Sequence, residues 1–124
     1  MTKTGVTGIR RVWNALFYSL AGMRLAWQHE AAFRQELTLV ILLLPVAFWL
    51  GPTAVERSLL IGCLFVVLIT ELLNSANEAI VDRVGTERHP LSGQSKEMAS
   101  AAGFLSLLLT AIVWGMISWQ RFVG

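Results

Sequence analysis

Glu71-Leu-Leu-Asn-Ser-Ala-Asn-Glu78, with Asp82 four residues further on, is the stretch that decides how this chain is read. It lies in a run of 24 positions, Ser58 to Val81, in which Glu71 and Glu78 are the only charged residues. A charge at the centre of a membrane helix costs about 2.5–3.5 kcal/mol on insertion scales, so carboxylates in such a run mark function by default. Residues seven apart on a helix point in nearly the same direction, and Asn74, Ser75 and Asp82 fall on the same broad stripe. The second span therefore carries one polar face, with Glu71 about 16 Å and Glu78 about 6 Å from Asp82 along the axis. A seam that merely joins helices through hydrogen bonds needs a single Asn or Ser rather than two glutamates.

Outward from this stretch the chain is a membrane protein. Of its 124 residues 55% are hydrophobic and 15% charged, against about 25% charged in soluble domains. Two further charge-poor runs flank the central one: Leu37 to Val55, 19 positions, and Met98 to Gln120, 23 positions. At 1.5 Å per residue the three runs reach about 28–36 Å, the thickness of a hydrocarbon core. The expected architecture is all-α, a single integral-membrane domain over 1–124 with spans at about 33–51, 57–81 and 97–120. Pro45 is tolerable inside the first span, and Gly51-Pro52 marks its end. The lone Cys63 excludes an intramolecular disulfide and a cysteine-based zinc site.

Charge placement gives an orientation. Lys3, Arg10, Arg11, Arg24, Arg34, Arg83, Arg88 and Lys96 fall on one side, and only Arg57 and Arg121 on the other. The positive-inside rule puts the first group, and the amino terminus, in the cytoplasm. Before the first span, Ile9, Val12, Trp13, Leu16, Phe17 and Leu20 form one apolar stripe with Arg10, Arg11 and Asn14 on the other face. A surface helix over about 8–22 is expected to lie in the plane of an anionic leaflet, or else to pack on the bundle.

Below the polar stripe, Glu87-Arg88-His89-Pro90 and Ser95-Lys96-Glu97 gather cations and carboxylates, and Glu30 lies at the same interface. Hard oxygens for a metal and cations for phosphate oxygens suit a magnesium–phosphate ligand. No G-x-x-x-x-G-K-[ST] or G-x-G-x-x-G motif is present, and His29 and His89 have no metal-ligand spacing. Ser75 with Ala79, and Ala99 with Gly103, are small residues four apart that allow close helix packing.

The segments Glu30-Ala-Ala-Phe-Arg-Gln-Glu36, Glu71 through Glu78 with Asp82-Arg83, and Leu91-Ser-Gly93 through Lys96 to Ser100-Ala-Ala102 closely resemble the prokaryotic diacylglycerol kinase family. The E-x-x-N-S-A-x-E-x-x-x-D pattern is highly specific, and the likeness covers nearly the whole chain. The resemblance implies a homotrimer in the bacterial inner membrane that moves the γ-phosphate of MgATP to the free hydroxyl of diacylglycerol, giving phosphatidic acid. Carried over by position, Glu71 matches the general base, and Glu30 and Glu78 the magnesium-binding carboxylates. Those two glutamates, Arg11, Tyr18, Asn74, Glu87, Arg88, His89, Lys96 and Glu97 match ATP-contacting positions. Trp27, Arg34, Glu71 and Ser100 match positions near the lipid substrate. The chain departs from the family pattern at Glu97, usually Asp, and at Ala99, usually Gly.

Two other functions fit the same residues. An undecaprenol kinase would run the same reaction on a polyprenol, although the Glu30–Glu36 segment looks like the diacylglycerol-using branch. A small proton-coupled transporter would use the membrane glutamates as a relay, but has no need of the Lys96, Arg88, Glu87 and Glu97 cluster. No nucleic acid partner is expected.

Overall fold

Each charge-poor run is a helix in the computed structural model, which describes residues 8–85 and 89–124. The order is α1 Gly8–His29, α2 Ala31–Leu50, α3 Ala54–Val84 and α4 Pro90–Phe122. Helices α2, α3 and α4 are long and apolar enough to cross a membrane. Helix α1 runs beyond the expected end near 22, because Met23, Arg24, Leu25, Ala26 and Gln28 are strong helix formers with no breaker among them. The amphipathic stripe marks a helix face, not the residue at which the helix stops.

The corners are built alike. Glu30 and Thr53, the residues before α2 and α3, have extended backbone and end the preceding turn. Four residues into each new helix an arginine reaches back to the end of the previous one. Arg34 Nη1 donates to the carbonyls of Trp27 at 2.7 Å and Gln28 at 3.3 Å. Arg57 Nε donates to those of Gly51 at 2.8 Å and Phe48 at 3.2 Å. Both satisfy carbonyls that a helix end leaves without partners, and both put a cation at the negative end of the helix dipole. Gly51 is needed there: a Cβ would lie 2.9 Å from the Arg57 nitrogen. At the second corner Thr53 donates from its backbone N–H and its hydroxyl to Glu56 Oε2, at 2.9 and 2.7 Å.

Packing is concentrated between α3 and α4, with α2 against α3. A core of Ala47, Leu50, Leu60 and Ile117, flanked by Ile61, Val113 and Trp114, sits at the end that holds the α2–α3 corner. Trp114 Nε1 donates to the Leu60 carbonyl at 3.2 Å, which ties α4 to α3 through a polar bond inside apolar surroundings. Most large apolar side chains elsewhere on the three long helices face outward, as lipid-exposed helices require. The stripe on α1 is not used against the bundle either: Ile9, Val12, Trp13, Leu16, Phe17 and Leu20 are all exposed, and Ala26 is the buried residue of α1. Within one chain the stripe itself is left open, and it is the last turns of α1, around Ala26, that approach α2 and α3.

Helix α2 at 20 residues spans about 30 Å, whereas α3 at 31 and α4 at 33 span about 46 and 50 Å. Because α2 and α3 start level at their short corner, the surplus of α3 lies at the opposite end, beyond the level of Glu30. There α1 lies along it.

Candidate active site

Glu30 is the hinge between α1 and α2. Its backbone (φ −118°, ψ 107°) leaves the helical region, and its carboxylate does not cap α2. Instead Glu30 Oε1 accepts from the Ser75 hydroxyl of α3 at 3.1 Å, and the same hydroxyl lies 3.4 Å from Glu71 Oε2. The stripe on α3 thus meets the α1–α2 corner at one hydroxyl. Glu71 stands in the negative field of both Glu30 and Glu78.

A further carboxylate joins this group. Glu36, one and a half turns into α2, stands close enough for its charge and that of Glu71 to repel. Its Oε2 is buried without a hydrogen-bond partner. In sequence Glu36 only bounds the first apolar run, and its six-residue offset from Glu30 hides that both face α3. Among the described residues no lysine or arginine neutralises these carboxylates: the ion pair formed there joins Lys96 Nζ to Asp82 Oδ1 at 4.0 Å, largely in solvent. Such a cluster calls for a cation from outside. No three metal-capable side chains among the described residues form a closed cage. The carboxylate oxygens of Glu30 and Glu78 are hard donors of the kind magnesium takes, one or two at a time, together with waters and substrate phosphates.

Beside the cluster, α1 and α3 enclose a cleft of about 720 Å³. Met23, Leu25 and Ala26 line one side and Leu72, Ala76 and Ala79 the other, with His29, Glu30 and Ser75 at its edge. The cleft is apolar along its length and polar where it meets the carboxylates. An amphiphile with a hydroxyl at its head fits that gradient.

The remaining expected residues divide between places. Asn74 and Ser75 lie half-buried on the site face of α3, and Glu78 one turn further is exposed. On the opposite side of the same turn Ser95 Oγ donates to Asn77 Oδ1 at 2.6 Å and joins α4 to α3 directly beside Lys96 and Glu78. His89 caps α4, with Nδ1 accepting from the Leu91 N–H at 3.1 Å, so only its Nε2 is left for a ligand. Lys96, Glu97 and Ser100 are exposed near the start of α4, and Arg11, Tyr18 and Trp27 are exposed on α1. Arg34 is committed to the end of α1. Glu87 and Arg88 lie outside the described residues.

The profile of the prokaryotic diacylglycerol kinases matches residues 17–118. The chain is 51% identical over 113 residues to the diacylglycerol kinase of Pseudomonas aeruginosa, covering 91% of this chain and 92% of that one. Against the diacylglycerol kinase of Escherichia coli K12 the identity is 47% over 116 residues, 94% and 95% of the two chains. A more distant relative, from Helicobacter pylori 26695, is 42% identical over 108 residues, 87% and 84% of the two. Agreement of this extent runs from α1 through α4, and it places the chain in the prokaryotic diacylglycerol kinase family.

Proposed function

We propose that the protein phosphorylates diacylglycerol with MgATP at the level where its long helices leave the apolar layer. The observation that carries this reading is the meeting of Glu30, Ser75 and Glu71 at the polar end of an apolar cleft. A lipid whose chains stay among apolar residues presents its hydroxyl where a carboxylate waits, and the nucleotide approaches from the charged surface beyond. All relatives named above carry the name diacylglycerol kinase, which favours this lipid over a polyprenol.

Phosphoryl transfer needs positioning and charge neutralisation more than covalent help. Glu71 is the base: its carboxylate takes the proton of the lipid hydroxyl as that oxygen bonds to the γ-phosphorus, while the bond from the γ-phosphorus to the β,γ-bridging oxygen breaks and ADP leaves with that oxygen's electron pair. Glu30 and Glu78 would hold magnesium, which supplies neutralisation of the phosphate charge when bound. Asn74, Lys96, Glu97, His89 and the Glu87-Arg88 pair, with Arg11 and Tyr18 from α1, make up the nucleotide side. Lys96 already stands at this surface, held loosely by Asp82, and can exchange that partner for a phosphate. Trp27 and Ser100 flank the lipid. Arg34 supports that side from its post at the end of α1.

The exposed stripes of α1 and of the long helices call for lipid and for copies of the chain, and a homotrimer in the inner membrane with a cytoplasmic amino terminus is the assembly proposed. The test is ATP consumption by the purified protein in mixed micelles. Diacylglycerol should stimulate it strongly and undecaprenol weakly. Consumption driven by undecaprenol alone, or by neither lipid, would exclude this function.

A further inference from the structure

Hydroxyl groups on a helix usually bond back to a carbonyl of their own preceding turn, which keeps them satisfied in apolar surroundings. Ser19, Thr38, Ser58, Thr70 and Thr110 all do so, reaching the carbonyl four residues back at 2.6–2.9 Å. Ser106 reaches the one three residues back at 2.7 Å. Ser75 has the same option, since the Glu71 carbonyl lies one turn before it, and does not take it. Its hydroxyl is turned across to Glu30 Oε1 and toward the Glu71 carboxylate. Charged acceptors make stronger hydrogen bonds than carbonyls, so the departure has a physical cause. It also has a consequence: one proton is shared between two carboxylates that repel each other and that no basic side chain among the described residues separates.

We infer that Ser75 is a positioning residue for the phosphoryl transfer: its hydroxyl holds the Glu71 and Glu30 carboxylates in a fixed relation, one toward the lipid hydroxyl and the other toward the cation. This deepens the proposed function and rests on Glu71 being the base. A serine is suited to the task by size as well as chemistry. The position faces the cleft between α1 and α3, and the small Ala76 and Ala79 beside it leave the hydroxyl free to turn. Its reading as a small residue that merely permits helix packing accounts for the size but not for the direction of the hydroxyl.

The test compares Ser75→Ala, Ser75→Thr, Glu71→Gln and the Ser75→Ala/Glu71→Gln double variant, assayed in mixed micelles with thermal unfolding followed in parallel. Ser75→Ala should lower kcat about 10- to 100-fold, as expected when a hydrogen bond to a charged group is lost. The KM for diacylglycerol and the unfolding temperature should stay near wild type, because alanine is a good helix former and the cleft does not need the hydroxyl to stay open. Ser75→Thr keeps the hydroxyl, has room in the cleft for its methyl, and should recover most of the loss. In the Glu71→Gln background, adding Ser75→Ala should cost less than about twofold, since residues acting through one group are not additive.

Equal losses in Ser75→Ala and Ser75→Thr, a lowered unfolding temperature with both KM values raised, or full additivity in the double variant would each make the residue structural and overturn the inference. Wild-type turnover in Ser75→Ala beside an inactive Glu71→Gln overturns it too, and leaves Glu71 standing. Near-normal turnover in Glu71→Gln removes the base assignment, and the role of Ser75 with it.

Discussion

The two ends of the helical bundle are built on opposite rules. At the α2–α3 corner the helices close on Ala47, Leu50, Leu60 and Ile117. At the α1–α2 corner the helices diverge around a cleft, the carboxylates of Glu30, Glu36, Glu71 and Glu78 have no ion-pair partner among the described residues, and the Ser75 hydroxyl crosses from α3 to Glu30. Helix α3 belongs to both ends, and along its length the same backbone passes from a packing element to a carrier of reactive groups. On the proposed function this difference separates stability from chemistry along the helix axes, so a substitution at one end should leave the other quantity alone.

The strongest way to break that separation is Glu71→Gln. Removing a general base should cut turnover by about 10²- to 10⁴-fold while the protein folds, assembles and binds ATP as before. If Glu71→Gln instead lowered the unfolding temperature and left turnover per folded molecule at the wild-type level, the inner end would be structural. Next comes Leu60→Ala at the closed end, where the side chain is wholly buried. A cavity there should cost about 2–5 kcal/mol of stability, seen as a lowered denaturation midpoint in detergent, with kcat per folded molecule unchanged. A fall in kcat that the unfolded fraction does not explain would show that the two ends are mechanically coupled. The smallest effect sharpens the comparison within the charged residues. Lys96→Met should raise the KM for MgATP by about tenfold, the scale of one charge-assisted hydrogen bond, and leave the lipid KM nearly as it was. Arg121→Met, which lifts a cation from the Trp49 ring at the other end, should change neither. Equal shifts from both would mean that net charge, not the position of Lys96, governs nucleotide affinity.

Much of the architecture could be read from one dimension. Runs of apolar residues set the three long helices, and the seven-residue spacing of Glu71 and Glu78 set the polar face, because both follow from helix periodicity alone. What could not be read was everything that depends on register between helices. Nothing local to Glu30 says that it falls level with Ser75, and nothing in the first span says that Glu36 turns toward Glu71. Asn77 and Ser95 look like unremarkable polar residues until α3 and α4 are laid side by side. Helix ends were similarly hidden: α1 and α2 are separated by a single residue with neither glycine nor proline at the break, and the Arg34 tie that supports it spans seven positions back to Trp27. Of the nucleotide-side residues, Arg11 and Tyr18 were named from resemblance alone, whereas Glu87, Arg88, Lys96 and Glu97 also stood out as a charged cluster.

The overhang of α3 and α4 beyond Glu30 bears on what the enzyme does not have to do. Drawing a lipid out of a bilayer into a water-soluble site forfeits about 0.8 kcal/mol for every methylene exposed, so even one acyl chain would add a penalty on the scale of an entire catalytic barrier reduction. On the proposed function Glu71 acts at the end of the apolar cleft while α3 continues about 14 Å past Ser75 to Val84, so the nucleotide would meet the lipid at the lipid's own depth. Such a reaction would need no extraction step before the chemistry, and its product would stay in the layer from which the substrate came.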